Sequence, residues 1–296
     1  MTASQSRTAR RFVEYGTFRH RSGKATISDS GTRPSAMYWA WRMTLPASSA
    51  QCPIKGSTKS LDSSQAAHDG KVPYAQSAEY DAANRLASVS SNGVVLVVNE
   101  YDYLNRRIRK TTPTSTTTFV YDGWNLIHET VTIVNGATTN TTEIQYFWGA
   151  DISETLQGAG GVGGLLATSV NGQFYFTAYD NNGNVTKYID ESGNVVAAYE
   201  YDDFGRTISQ TGSLAHLFRH RFSTKYFDLE TGLYYYGYRF YSPSLMRWLN
   251  RDPIEEEGGL NLYGFCGNCV VANYDKGGCA YFAYNCWIIR SRVVRV

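Results

Sequence analysis

The sequence lacks any long apolar run. No stretch approaches the roughly 20 consecutive apolar residues that span a bilayer, so no transmembrane segment is predicted. Residues Met1 to Arg11 are polar and basic, and no apolar stretch follows them, so the sequence predicts no signal peptide. The chain is interpreted as soluble, or as a piece of a larger protein that carries its signal elsewhere.

Cysteine is scarce, and its spacing does not suit a metal site. The chain has 5 cysteines, an odd number, and four of them follow one another as C-x2-C-x9-C-x6-C at Cys266, Cys269, Cys279 and Cys286. The second pair lacks the spacing of two to four residues that is typical of zinc ligands, and no histidine follows His220. The sequence favours scattered thiols or an incidental disulfide, and it predicts neither a metal nor a cofactor.

The features that mark nucleotide or nucleic-acid binding are also missing. Net charge is only +2, although residues 1–75 hold 11 lysines and arginines against 4 acidic residues. These basic residues are scattered and no nucleic-acid motif accompanies them, so no nucleic-acid partner is predicted. The glycine-rich run from Gly158 to Gly164 lacks the spacing of a dinucleotide fingerprint and is interpreted as a sheet bend or a tightly packed loop.

The sequence does contain a repeat that begins with Tyr-Asp. Successive copies are separated by 21, 20, 58 and 22 residues, and the longest step is close to three periods. A fixed period of this length is typical of a repeat architecture. The copies start at Tyr80, Tyr101, Tyr121, Tyr179 and Tyr201.

Each repeat has the composition of a β-hairpin. An aromatic or β-branched run ends at Tyr-Asp, a polar stretch rich in Asn and Gly follows, and a second β-rich run begins. Asn and Gly close tight turns, and Asp can accept hydrogen bonds from the turn amides. The sequence therefore predicts an all-β protein with a curved antiparallel sheet of hairpins. Turns are expected near residues 123, 135–136, 171–172, 182–184 and 192–194.

A second distinctive stretch follows the repeats. It reads Gly-Leu-Tyr-Tyr-Tyr-Gly-Tyr-Arg-Phe-Tyr-Ser-Pro from Gly232, then Arg-Trp-Leu-Asn-Arg-Asp-Pro-Ile from Arg247, then Gly-Gly-Leu-Asn-Leu-Tyr from Gly258. Together with the Tyr-Asp repeats, it resembles the RHS (YD-repeat) family and its repeat-associated core domain. The resemblance covers roughly residues 76 to 278.

The resemblance implies a fold and a role. In that family the repeats resemble a β-sheet ribbon that spirals into a hollow shell, and the core domain closes it. A variable C-terminal segment, often a toxin, is held inside. The implied partners are the remaining shell segments or a C-terminal toxin cargo. The implied location is secreted or at the cell surface.

The resemblance also implies an aspartyl self-protease that cuts just after an Asp-Pro-x-Gly-Leu motif. Asp252 lies in the matching Arg-Asp-Pro motif, and Arg251 beside it could lower a carboxylate pKa or hold an oxyanion. The second candidate is Asp275, where Asp-Lys-Gly-Gly-Cys replaces the family motif, so the expected cut falls after Cys279. Two carboxyl groups that share a proton can activate water and protonate the leaving amine. Both aspartates are also ordinary turn formers, which is the alternative interpretation.

These observations divide the chain into four parts. They are a weakly ordered N-terminal region at 1–75, the repeats at 76–221, the core domain at 222–278 and a short variable tail at 279–296. The first functional hypothesis is a shell or carrier segment that encloses or presents a C-terminal cargo. The others are a surface adhesion or carbohydrate-binding module that binds cell-surface glycans, and a self-cleaving protease core. Too few repeats are present to close a shell, which predicts a fragment or a degenerate copy.

Overall fold

The computed structural model describes residues 76–283. The interpretations placed on residues 1–75 and on the tail beyond residue 283 lie outside the described residues. Within the described part, none of the short 3₁₀ helices is long or apolar enough to cross a membrane.

The repeats form one antiparallel sheet of twelve strands that follow one another in chain order. The sheet is open, because β1 and β12 each pair with a single neighbouring strand within residues 76–283. The predicted all-β class is confirmed, and the five expected turns all lie between strands. The strands are β1 Gln76–Tyr80, β2 Leu86–Ser91, β3 Val94–Tyr101, β4 Arg107–Thr111, β5 Ser115–Asp122, β6 Asn125–Asn135, β7 Thr138–Trp148, β8 Leu165–Val170, β9 Gln173–Tyr179, β10 Val185–Asp190, β11 Val195–Tyr201 and β12 Thr207–Thr211.

In four of the five Tyr-Asp repeats, the aspartate closes its turn with its own carboxylate. Asp102 Oδ1 accepts hydrogen bonds from the amides of Leu104 and Arg106, both at 2.9 Å. The other oxygen of Asp102 receives the Arg106 Nε donor at 2.8 Å. Amides that would otherwise lack partners are thereby satisfied, and a left-handed residue such as Asn105 (φ 67°) completes the corner. The same arrangement occurs in the repeats at Asp81, Asp180 and Asp202, and also at Asp190, which follows Ile189 and lies outside the Tyr-Asp copies.

In three repeats, at Tyr101, Tyr121 and Tyr201, the tyrosine ties the repeat to the one before it. Tyr101 Oη donates to the Leu86 carbonyl oxygen at 2.7 Å, and Tyr201 Oη donates to the Val185 carbonyl oxygen at 2.7 Å. Each accepting carbonyl lies directly after the preceding corner. The guanidinium of Arg85 also lies 5.0 Å from the centre of the Tyr101 ring. The period of about twenty residues is therefore the length of chain that returns a tyrosine to the previous corner.

The core domain is a second, smaller sheet that covers the inner face of the first. A single buried cluster contains Phe119 and Tyr146 of the large sheet together with Tyr226, Tyr235 and Phe240 of the core. Its strands are β13 Tyr226–Asp228, β14 Leu233–Tyr235, β15 Phe240–Ser242 and β16 Arg247–Trp248, followed by the hairpin of β17 Asn273–Asp275 and β18 Tyr281–Ala283. Short 3₁₀ helices lie at Phe222–Thr224, Glu255–Gly258 and Cys266–Asn268.

A buried ion cluster fixes the position of the core on the sheet. Arg107 of β4 donates to both oxygens of Asp228 in β13, at 2.6 and 3.1 Å, and Lys110 Nζ lies 3.1 Å from Asp228. Although burial opposes ionisation, Arg107 and Lys110 hold the pKa of Asp228 at about 2. Misplacing the core would leave these charges buried and unpaired, which strongly disfavours other arrangements.

The cross-repeat hydrogen bond predicts a measurable contribution from one hydroxyl. Tyr201→Phe removes the donor to the Val185 carbonyl and keeps the ring. We expect the free energy of unfolding, measured by urea titration, to fall by about 1 kcal/mol because a partly buried acceptor loses its partner. The matched control is Tyr103→Phe, since the Tyr103 side chain is 89% exposed. Equal midpoints for the two variants would contradict the role given to the hydroxyl.

Candidate functional site

The two candidate aspartates both lie in the core domain, and both are buried. Asp252 follows β16, and its Oδ1 accepts the amide of Ile254 at 3.1 Å. Asp275 ends β17, and its Oδ1 accepts the amides of Gly277 and Gly278. Their residues are only 8% and 2% exposed, which is unusual for aspartate and calls for charged or hydrogen-bonding partners.

Arg239 is the residue that connects the site, and it is not among the residues predicted from the sequence. Its Nη2 donates to Asp252 Oδ2 at 2.8 Å, and its Nε donates to the carbonyl oxygen of Gly278. The guanidinium also interacts electrostatically with Asp275. Arg239 stands inside the tyrosine-rich stretch that marks the family. However, it precedes Asp252 by 13 residues, and only the fold brings the two together.

The expected cleavage bond lies in the turn that joins β17 to β18. Asp275 pairs with Tyr281 across this hairpin, so the Cys279–Ala280 peptide falls within the turn. A Cβ added at Gly258 would lie 2.6 Å from Asp252 Oδ2 and 3.1 Å from the Cys279 carbonyl oxygen. Both oxygens therefore lie against the Gly258 α-carbon, and glycine leaves that space open. The carboxylate of Asp252 is close to the bond that the sequence singled out.

Burial sets the charge states of the site. It raises the pKa of Asp275 to about 6, although the Gly278 amide and Arg239 both favour the ionised form. Burial also raises the pKa of the Cys279 thiol to about 12, so this thiol is neutral at neutral pH. A carboxyl group with a pKa of about 6 can take up and release a proton near neutral pH.

The Lys225 side chain holds the β17–β18 turn through hydrogen bonds from its amine. Its Nζ donates to the Lys276 carbonyl oxygen at 2.9 Å and to the Gly160 carbonyl oxygen at 2.7 Å. The glycine-rich run is thus a tightly packed loop, as expected: a Cβ at Gly160 would lie 1.9 Å from the Lys276 carbonyl oxygen. Buried Asp151 holds this loop by accepting the amides of Ala159 and Gly161.

The remaining residues singled out from the sequence are Arg251 and the cysteines. Arg251 is exposed, and the guanidinium that contacts Asp252 belongs to Arg239, so the role predicted for Arg251 stays a prediction. Cys266 and Cys279 carry free thiols in the described part of the chain. Within residues 76–283, no group of three or more potential ligands is arranged to hold a metal ion.

Comparison with known proteins identifies the family. The family model described as Teneurin YD-shell matches residues 76–270. The chain belongs to this family. The resemblance to RHS (YD-repeat) proteins is thereby confirmed, and the relatives connect this YD shell with toxins.

Similar proteins are much longer than the part that matches. The tRNA3(Ser)-specific nuclease WapA of Bacillus spizizenii is 31% identical over 219 residues, which cover 71% of this chain and 8% of that protein. Double-stranded DNA deaminase toxin A of Burkholderia cenocepacia is 30% identical over 219 residues, covering 64% of this chain and 14% of that protein. The crystal structure of TcdB2-TccC3-Cdc42 superposes with a TM-score of 0.56 at 24% identity, covering 69% of this chain and 10% of that chain. This last similarity shows the shared fold.

The buried carboxyl group of Asp275 predicts a pH dependence of stability. Its pKa is about 6 in the folded protein against an ordinary value of 3.8. Between these values the folded state binds more protons than the unfolded state, so the free energy of unfolding contributed by Asp275 falls as pH rises. Asp275→Asn retains an Oδ1 acceptor and removes the titration. We expect the stability of the wild type relative to this variant, from urea unfolding, to fall between about pH 4 and about pH 6 and then level off.

Buried His220 changes the stability with pH in the opposite direction to Asp275, and its contribution cancels when the wild type is compared with Asp275→Asn. Burial lowers the pKa of His220 to about 3, so its contribution to stability rises with pH above that value. Because His220 is present in both proteins, the difference between them isolates Asp275. A difference that stays constant from about pH 4 to about pH 7 would contradict the assignment of a raised pKa to Asp275.

Proposed function

We propose that the chain is a wall segment of a YD shell that holds or presents the residues after its core domain. The observation that carries this proposal is the packing of the core against the inner face of the open sheet. Because β18 belongs to a core domain that is packed on the sheet, the residues that follow β18 begin at the wall. The relatives include a DNA deaminase toxin, which supports a toxin as the C-terminal cargo.

The open sheet defines the surfaces that a partner segment would bind. β1 and β12 are edge strands whose outer backbone groups are available for pairing with further strands. The outer face also carries large apolar side chains, since Phe147, Leu166 and Phe176 are 39%, 57% and 49% exposed. Further YD-repeat segments, or other copies of this chain, would cover these edges.

Protection of the tail tests the wall-segment proposal. A recognition sequence for a site-specific protease is added after Val296, and associated species are separated from monomer by gel filtration with light scattering. We expect the purified chain to associate at micromolar concentration, and the tail site to be cut about tenfold more slowly in the associated species, because the wall then shields it.

The matched control places the same recognition sequence in the β6–β7 turn at Gly136, which lies in an exposed hairpin tip. That site should be cut equally fast in both fractions. A stable monomer, or equal cutting of the tail site in both fractions, would argue against a wall segment that shields its C-terminal residues.

We further propose that the core retains the machinery of a self-cleaving aspartyl site. Supporting this are the contact of Arg239 with Asp252 and with the Gly278 carbonyl, and the position of the Cys279 carbonyl oxygen beside Gly258. In this mechanism one carboxyl group activates water toward the Cys279 carbonyl, and the other protonates the departing Ala280 amine. Arg239 stabilises the negative charge that develops in the turn.

The turn sequence keeps the wild type intact in this proposal. Lys276 replaces the proline that fixes φ, and Cys279 replaces the leucine that precedes the cut. A misplacement of about 1 Å can lower a rate about a hundredfold. We therefore expect the wild type to stay whole, and Lys276→Pro combined with Cys279→Leu to release the 17-residue peptide from Ala280 to Val296.

Intact-mass spectrometry over time checks this expectation. Adding Asp252→Asn or Asp275→Asn to the double variant should abolish release, and Arg239→Gln should slow it more than Arg251→Ala does. Prompt loss of the tail from the wild type refutes the inhibitory role of the turn. No release from the double variant leaves the self-cleavage proposal without support.

The repeat tyrosines do not support the surface-adhesion alternative. A stacking platform for sugars needs exposed aromatic faces, whereas the hydroxyls of Tyr101, Tyr121 and Tyr201 donate to backbone carbonyls of the neighbouring strands.

A further inference from the structure

A cavity of about 250 Å³ lies between the large sheet and the core, next to the β17–β18 turn. Its walls are mainly apolar, and they include Leu126, Trp148 and Tyr235. Tyr238 and Phe282 also line it and are 40% and 46% exposed, so a small molecule can enter beside them. A cavity of about 150 Å³ with apolar walls already accepts benzene, so this one has room for a ring that carries a short side chain.

The Lys225 side chain brings a buried amine to the wall of this cavity. The residue is only 7% exposed, and its Nζ lies 5.2 Å from the centre of the Tyr236 ring, which also lines the cavity. The carbonyl oxygens of Gly160 and Lys276 accept two hydrogen bonds from this amine. An ammonium group has three N–H donors, so one donor remains for a ligand in the cavity.

Within residues 76–283, no carboxylate forms an ion pair with the Lys225 ammonium. Asp275 and Asp151 attract it only from a greater distance. Burial therefore prevails and lowers the pKa of Lys225 to about 8. A buried cation without a close counter-charge is costly, and an anionic group brought in by a ligand would stabilise it.

A second polar group that lines the cavity lacks a partner. His220 is 3% exposed, and its Nδ1 has no hydrogen-bond partner among the described residues. Burial, together with the positive charge of Lys225, lowers the pKa of His220 to about 3, so the ring is neutral and one of its nitrogens carries a proton. With that proton on Nδ1, a ligand oxygen that reaches this atom accepts a hydrogen bond. The two oxygens of a carboxylate can accept from Lys225 and His220 together.

We propose that this cavity binds a small aromatic carboxylate, with its ring against the apolar walls and its carboxylate on Lys225 Nζ and His220 Nδ1. Aromatic rings prefer tilted or edge contacts with other rings, and Trp148 and Tyr235 supply rings for such contacts. The bound anion also steadies the β17–β18 turn, because the same amine holds the Lys276 carbonyl. The inference goes beyond the wall-segment role and the self-cleavage, neither of which requires a small molecule.

Isothermal titration calorimetry of the full chain near neutral pH tests the site with phenylacetate, and phenylacetamide is the neutral probe of the same shape. We expect the chain to bind phenylacetate about tenfold more tightly than phenylacetamide, because only the carboxylate makes charge-assisted hydrogen bonds. Lys225→Met removes the ammonium and keeps an apolar side chain of similar length. This variant should bind phenylacetate about tenfold more weakly and phenylacetamide as before, which shows that the cavity is still formed. Lys187→Met, at an exposed lysine away from the cavity lining, is the matched control and should leave both affinities unchanged.

Three outcomes would overturn the proposal. They are no binding of phenylacetate to the wild type, equal affinities of the wild type for the two probes, and undiminished binding of phenylacetate to Lys225→Met. If Lys225→Met binds neither probe, Ala280→Trp decides, because its larger side chain fills the cavity that Ala280 lines. Loss of phenylacetate binding in Ala280→Trp supports the site, and unchanged binding places the ligand elsewhere. None of these outcomes depends on tail cleavage or on association of the chain.

Discussion

The fold depends on the corner that four of the five Tyr-Asp pairs make. The carboxylate of the aspartate satisfies two amides of its own turn, and the tyrosine hydroxyl satisfies a carbonyl beside the previous corner. The first contact makes each turn, and the second positions that turn on its neighbour. Since buried backbone groups must find partners, the sheet extends by repeating one local solution.

A sheet built this way has an inner face that needs a cover, and the core domain supplies it. The ion cluster of Arg107, Lys110 and Asp228 selects one position of the core among many that would bury similar apolar area. That position presses the glycine-rich loop against the β17–β18 turn, where Lys225 bonds to both. The groups around Asp252 and Asp275 come from separate loops of the core itself, and seating of the core on the sheet adds the glycine-rich loop to their surroundings through Lys225.

The same turn serves both structure and chemistry. Asp275 accepts the amides of Gly277 and Gly278 with one carboxylate oxygen. Burial raises its pKa to about 6. Arg239 neutralises Asp252 and at the same time grips the carbonyl of Gly278. In the proposed self-cleavage, Lys276 and Cys279 keep this firmly held turn from being cut.

The local features of this protein are readable in its amino-acid sequence. The Tyr-Asp period, the Asn and Gly turns and the antiparallel hairpins depend on contacts within about twenty residues, which a sequence pattern records directly. The family resemblance pointed to Asp252, Asp275 and the bond after Cys279. The folded chain alone shows that Arg239 faces Asp252 while Arg251 is exposed, that Gly258 makes room beside the Cys279 carbonyl, and that an aromatic cavity adjoins the turn. These contacts join residues from different strands and loops, and their distances depend on how the core is seated, which no local pattern encodes.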